Sequence, residues 1–362
     1  MSLELDRRQF VAAGSAALLS GCATLPGRDA CSPLAAVHVD PARVIRTYAC
    51  LRPYRAGGFV VRRDQLGDKA VVHNYGHGGA GITLSWGTSA LATALGLQGH
   101  SGPVAVIGAG VMGLTTARLV QEAGLPVTIY AADRPPNTTS NLAGGQWGPT
   151  GHYRESQVTP EWRSQYKAAL AISWRRFQQL DAARYGVHWL PTYTEVDRVD
   201  APGLEPYYPD SRLLTRGEHP FRLGELAVYR TMYVEVGRYL DQLTRDVLAA
   251  GAQIRARRFT SQVELLDLGE KLLFNCTGLG ARELFGDTEL GPVRGQIAVL
   301  APQSEVQYAY TLPSGYMFPR GDGIILGGTF EHGEWSTVPE PQTIAGILRS
   351  HRQLFSALRC IA

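Results

Sequence analysis

The sequence predicts an α/β fold with more than one domain, and three observations carry that prediction. An apolar, β-branched stretch at 104–107 runs into Gly108-Ala109-Gly110-Val111-Met112-Gly113, then a helically spaced run, then a second apolar strand at 127–130. Residues 291–335 hold several short strand-like runs separated by Gly and Pro turns. Helical spacing recurs at 162–180 and 342–358. A chain of 362 residues is long enough to bury more than one core. Its 44% hydrophobic and 19% charged content is that of a globular protein. A net charge of +3, with no Lys/Arg run, is too mild to imply a nucleic-acid partner, and none is expected. The 41 glycines cluster, which predicts loops of special geometry.

Taken in order, the chain opens on a targeting segment. Arg7-Arg8-Gln9-Phe10-Val11 has the pattern of a twin-arginine signal, and the apolar stretch after it is too short to span a bilayer. Leu19-Ser20-Gly21-Cys22 matches a lipoprotein box, so Cys22 is the expected lipid attachment point. An ordinary signal peptide that contains a cysteine is the plainer alternative. The twin-arginine route carries folded proteins, which suits a chain that acquires a cofactor before export. The expected location is the periplasm, with a lipid tether to a bacterial membrane. Residues 22–40, rich in Pro, Ala and Gly, read as a tether. Strand-like pieces follow at 41–68, a glycine-rich loop at 73–81, a helix at 82–95 and a short linker at 97–103. After the strand–turn–helix–strand unit, residues 151–245 mix helix with aromatic-rich strands, and 272–278 read as a strand ending in a turn. Cys276 in that strand is expected as a buried thiol. No Cys/His set has zinc spacing; His73 and His77 lack a third ligand and read as loop packing.

The glycine turn is a Rossmann-like dinucleotide site. Gly108 permits the tight turn, Gly110 leaves room for a pyrophosphate against the backbone, and Gly113 lets helix and strand pack closely. The N–H groups of Ala109, Val111 and Met112 fall at the helix start, where the partial positive charge favours phosphate. Asp133, about twenty residues on, is the candidate ribose ligand, with the backbone of Ala131 and Ala132 sharing that role.

Other segments resemble one family. They are Val104–Gly110, Thr138-Thr139-Ser140-Asn141-Leu142-Ala143-Gly144-Gly145-Gln146-Trp147, Asn275-Cys276-Thr277-Gly278, Arg294-Gly295-Gln296-Ile297, Tyr316-Met317-Phe318-Pro319 with Leu326-Gly327-Gly328-Thr329-Phe330, His73-Asn74-Tyr75-Gly76-His77-Gly78-Gly79-Ala80-Gly81, and Leu51-Arg52-Pro53-Tyr54-Arg55. Together they resemble the FAD-dependent D-amino-acid oxidases over most of residues 41–362. The order differs: the Arg-Pro and His-Asn-Tyr-Gly-His segments come last in that family and here precede the dinucleotide strand. The sequence therefore reads as a circular permutation, with new ends between Ala362 and about Pro41. A Cys50–Cys360 disulfide would staple that cut; three free thiols at Cys31, Cys50 and Cys360 are equally compatible.

The resemblance implies an FAD domain interleaved with a mixed-sheet substrate domain. Residues 1–21 are the signal, 22–40 the tether and 41–103 a permuted segment completing both domains. The FAD domain takes 104–150 and 259–290; the substrate domain takes 151–258 and 291–362. The implied FAD ligands add Arg134, Thr138, Thr139, Gly144, Gly145, Gln146, Phe259, Thr277 and Gly278 to the dinucleotide set. Gly78, Gly79, Ala80, Gly81, Ile82 and Thr83 would face the flavin C2=O, and Gly145 and Gln146 its N5/C4=O edge. Arg52 is the expected substrate carboxylate anchor, helped by the Tyr316 hydroxyl and lined by Gly79. The chemistry implied is oxidative deamination of a D-amino acid by hydride transfer to flavin N5, with oxygen reoxidising the flavin and releasing peroxide. A tethered dehydrogenase using another electron acceptor, and a non-catalytic FAD-stabilised protein, are the alternatives. Leu312 and Gly148 depart from the family's tyrosine and glutamine, which alters the expected rim of the site.

Overall fold

The computed structural model describes residues 31–149, 151–199 and 203–360, and everything below concerns these. The twin-arginine stretch, Cys22 and Ala362 lie outside them. The fold is α/β, built on two mixed sheets. The six-stranded sheet runs Val60–Leu66, Lys69–Tyr75, Leu272–Asn275, Val104–Ile107, Val127–Ala131 and Gln253–Ala256. Its first pair is antiparallel and the rest are parallel. The central strands are buried on both faces, as a parallel sheet requires, which explains their unbroken apolar runs.

The nine-stranded sheet is ordered Val44–Tyr54, Gly291–Leu300, Gly323–Gly327, Gly315–Arg320, Ala309–Leu312, Val187–Thr194, Leu226–Val234 and Arg212–Leu214. The short strand Glu331–His332 pairs beside it on Gly291–Leu300. Strand Val44–Tyr54 leaves this sheet and feeds Val60–Leu66 of the other. Bridges Tyr54–His77 and Gln146–Tyr233 tie the two where the chain crosses between them.

The predicted helices form, with shifted ends. Helix Val111–Glu122 starts three residues before the first apolar-periodic position, because Gly110 already serves as its N-cap. Helix Pro160–Gln179 begins at Thr159, whose hydroxyl accepts from Trp162 N, with Pro160 in the first turn. Helix Gly81–Gly96 is apolar all round because it is central, packed against both of these and the sheet. Residues His73, Asn74 and Tyr75, expected in a loop, are the end of strand Lys69–Tyr75; only the glycines beyond them turn. Helix Pro341–Ser356 buries Ile344, Ile347, Leu348, His351 and Phe355 along one face.

The disulfide differs from expectation. Cys31 and Cys360 are bridged, with Cα atoms 6.3 Å apart. Cys50 sits mid-strand opposite Gly295, its buried thiol donating to the Gly295 carbonyl at 3.5 Å, and stays free. Part of the stretch read as a tether also packs. Val37 and Val39 are buried in one cluster with Leu348, Phe355 and Leu358, because alternating apolar residues there meet the terminal helix. Cys276 is a buried thiol, as predicted.

The bridge closes a loop of 329 residues in sequence separation. Replacing Cys360 by Ser is expected to cost about 2–4 kcal/mol of stability. A urea titration of the wild type with and without reductant, beside the variant, checks this. An unchanged midpoint in all three would refute it.

Candidate active site

Five parallel strands end on one side of the six-stranded sheet, and the loops leaving them enclose a cavity of about 460 Å³. Such strand ends are where α/β sheets bind ligands. The turn after Val104–Ile107 forms its floor. Gly108 has φ +110°, and a Cβ there would lie 2.5 Å from the Cys276 carbonyl oxygen. A Cβ on Gly113 would lie 1.9 Å from the Gly108 carbonyl oxygen, so Gly113 fixes the turn from beneath the cavity without lining it. Gly110 caps the helix without a side chain, and Val111 N donates to Ser140 Oγ at 3.0 Å.

One end of the cavity is charged and open. Asp133 lines it, exposed, with Arg258 3.8 Å from its carboxylate. Arg257 lines it too, its guanidinium 4.6 Å above the Phe259 ring. Thr138, Thr139, Thr277 and Gly278 line it as well. This shape suits the FAD implied by the sequence resemblance. The bare glycine turn and the free N–H of Met112 at the helix start would take the pyrophosphate, Val111 N–H being already engaged by Ser140, while Asp133 and the arginines would take the adenosine half, and the cavity continues to Arg52.

At the far end Arg52 and Tyr316 stand side by side. Arg52 Nη1 donates to the carbonyls of Thr329 (3.4 Å) and Val293 (3.5 Å). Tyr316 lies flat on Gly327, where a Cβ would be 2.0 Å from its ring, and stacks on Phe318. Burial pushes the Tyr316 hydroxyl up to about 12, against the pull of Arg52, so it remains a donor at neutral pH. Behind it, His351 Nε2 meets the Gly327 carbonyl at 3.3 Å while Nδ1 pairs with the Tyr310 hydroxyl.

The glycine loop forms the adjoining wall. Gly78, Gly79, Gly81 and Ile82 line the cavity, and Gly144 lines it opposite. Gly79 N–H donates to the Gly151 carbonyl at 3.2 Å, so that donor is already engaged. Five further predicted residues do not reach the cavity. Thr83 is spent on Gly148, accepting from its N–H at 2.9 Å and donating to its carbonyl at 3.1 Å. Gly145 backs onto the Val234 carbonyl, and Gln146 turns its amide to the hydroxyls of Tyr229 and Tyr233. Ala80 is fully buried beneath the loop. Arg134 lies beyond the rim. Sequence reasoning passed over Arg257, Arg258, Ser140, His77 and Cys50, which do line it. The paired arginines were visible as a charged step between strand-like residues 253–256 and Phe259; the short, polar strand hid their placement.

His77 and His351 are buried, and burial pushes their pKa values down to about 3 and about 4. His77 Nε2 sits 3.0 Å from the Thr88 hydroxyl and its ring stacks on Phe59. An unfolded histidine titrates near 6.5, so below that pH the unfolded chain binds more protons and stability falls. Stability is therefore full above about pH 6.5 and lost progressively toward the folded values. From pH 6.5 to 5 the two histidines together should cost about 3 kcal/mol. Urea midpoints at both pH values check this, and His77→Gln should remove about half of the difference. A variant with the wild-type pH dependence would exclude His77 as a source.

Comparison with known proteins agrees with this geometry. The family model described as FAD dependent oxidoreductase (DAO) matches residues 26–95 and 103–362. A D-amino-acid oxidase of Rubrobacter xylanophilus is 34% identical over 240 residues, spanning 64% of this chain and 70% of that protein. One of Streptomyces coelicolor is 33% identical over 227 residues, spanning 59% of this chain and 65% of its own length. Glycine oxidase from Bacillus cereus, at 18% identity, superposes with a TM-score of 0.53 over 69% of this chain and 77% of its own, which shows a shared fold. With two blocks of matched sequence covering nearly all of its length and the FAD-shaped cavity between them, the chain belongs to the DAO family of FAD-dependent oxidoreductases.

Proposed function

We propose that this flavoprotein oxidises the α-amino group of small D-amino acids to the 2-oxo acid and ammonia. The observation that carries the reading is the pairing of Arg52 with Tyr316 at the end of the cavity remote from Asp133. A guanidinium with one edge tied to carbonyls has its other edge left for a carboxylate, which it can bind through two parallel hydrogen bonds. Tyr316, held protonated by burial, donates to the same carboxylate. FAD, when bound, supplies the hydride acceptor. The chain's part is positional: Arg52 and Tyr316 fix the acid end, so the α-carbon stands in the space between them and the glycine wall.

Among the described residues that line the cavity, His77 and Cys50 are poor bases for removing the α-hydrogen as a proton. His77 is neutral and engaged with Thr88, and burial holds the Cys50 thiol above its ordinary pKa. The amine therefore enters in its neutral form, and the α-hydrogen leaves with its electron pair. The resulting imino acid hydrolyses in water. The relatives named D-amino-acid oxidase support the choice of stereochemistry, and oxygen is the proposed acceptor.

Two features of the chain's history belong to the same reading. The family match falls in two blocks separated at 96–102, where a short connection joins helix Gly81–Gly96 to strand Val104–Ile107; this supports a circular permutation with the domain division read from the sequence. The Arg7-Arg8 signal and Cys22 support export to the periplasm and tethering by lipid, where the Cys31–Cys360 bridge would persist.

The purified protein should show flavin absorption that bleaches when D-alanine is added without oxygen. Colour that returns in air with peroxide is the expected result. Bleaching that air does not reverse would point to another acceptor, and bands unmoved by a panel of D-amino acids and glycine would overturn the reading. Arg52→Leu is expected to lower kcat/KM by about 10²- to 10⁴-fold, from the loss of two charge-assisted hydrogen bonds. Steady-state kinetics on D-alanine check this.

A further inference from the structure

Arg52 is packed on more than its hydrogen-bonded edge. Gly295 lies against the guanidinium, where a Cβ would come within 2.5 Å of both Nη atoms and 2.7 Å of Cζ. The Phe330 ring covers it as well, with its centroid 4.4 Å from Cζ. Phe330 is otherwise anomalous: it is a large apolar side chain, 58% exposed, and it does not line the cavity.

The backbone on either side of Phe330 is held firmly. Thr329 Oγ1 accepts from Gln296 N at 2.7 Å, and the Thr329 carbonyl accepts from Arg52 itself. Glu331 pairs with buried Arg294 and accepts from Gln296 Nε2 at 3.0 Å. Arg294 also pairs with Glu340, whose N–H donates to Gln296 Oε1 at 2.7 Å. A charged cluster centred on buried Arg294 thus pins residues 329 and 331 to strand Gly291–Leu300, and the ring between them is carried to one place: over Arg52.

We propose that Phe330 is a positioning residue for carboxylate recognition. Its ring attracts the guanidinium through the π face, keeps it in plane and excludes water from it, so the free edge meets an incoming carboxylate already oriented. Arg52 is too long and flexible a side chain to hold that plane by itself. This rests on the reading of Arg52 as the carboxylate anchor.

The test uses the flavin-loaded protein and propionate, a carboxylate without the amine, whose binding is followed by the perturbation of flavin absorption. Phe330→Leu should raise the propionate Kd and the D-alanine KM by about three- to tenfold, with KM rising more than kcat falls. Phe330→Trp, which keeps a π face, should return both to within about twofold of wild type. Gly295→Ala, which crowds the guanidinium from another side, should weaken propionate as Phe330→Leu does. Propionate binding to Phe330→Leu within about twofold of wild type would overturn the proposal, as would a tryptophan variant no better than leucine. Failure of the underlying reading looks different: Arg52→Leu would then bind propionate as well as wild type does, and the proposal would fall with it.

Discussion

Backbone packed against backbone, at distances no side chain allows, is the constraint on which the cavity depends. The Gly108 carbonyl occupies the space that a methyl group on Gly113 would need, and Gly108 itself presses against the Cys276 carbonyl. Three segments meet there: the turn after Val104–Ile107, the first turn of helix Val111–Glu122, and the exit from Leu272–Asn275. Hydrogen bonds from Gly108 N to the Tyr130 carbonyl and from Cys276 N to the Ile107 carbonyl lock neighbouring strands at the same level. Because these contacts are between main chains, they set the cavity floor with little freedom to adjust.

The substrate end repeats the device with side chains. Tyr316 needs Gly327 beneath it and Arg52 needs Gly295 beside it. Both glycines lie on adjacent strands of the nine-stranded sheet, so a large polar group can lie flat where a pleated surface would otherwise push it outward. The six-stranded sheet brings the glycine turn to the cavity, the other sheet brings Tyr316, and strand Val44–Tyr54 of that second sheet brings Arg52 and leads on into the first.

Much of this was legible in the sequence because the relevant signals are local. The Gly108–Gly113 spacing, the apolar strand before it and the helical run after it are set by neighbours in the chain, and the observed elements differ only at their ends. The resemblance also paired Arg52 with Tyr316, and the structure brings these distant positions to one cavity. What escaped was long-range. Nothing local in Gln146 tells that its amide turns to Tyr229 and Tyr233, nor in Thr83 that Gly148 saturates its hydroxyl. That Cys360 pairs with Cys31 while Cys50 lies in a strand opposite Gly295 is a long-range arrangement that spacing along the chain does not encode.

That disulfide has a topological consequence. By joining residue 31 to residue 360 it makes the described chain a closed ring, in which every element has covalently linked neighbours on both sides. In a ring, fraying from either end is opposed by the covalent link to the other. The sheets, the glycine contacts and the arginine-tyrosine pair all lie within that ring. Beside the bridge, the terminal helix and residues 34–39 share one core, and none of those residues lines the cavity.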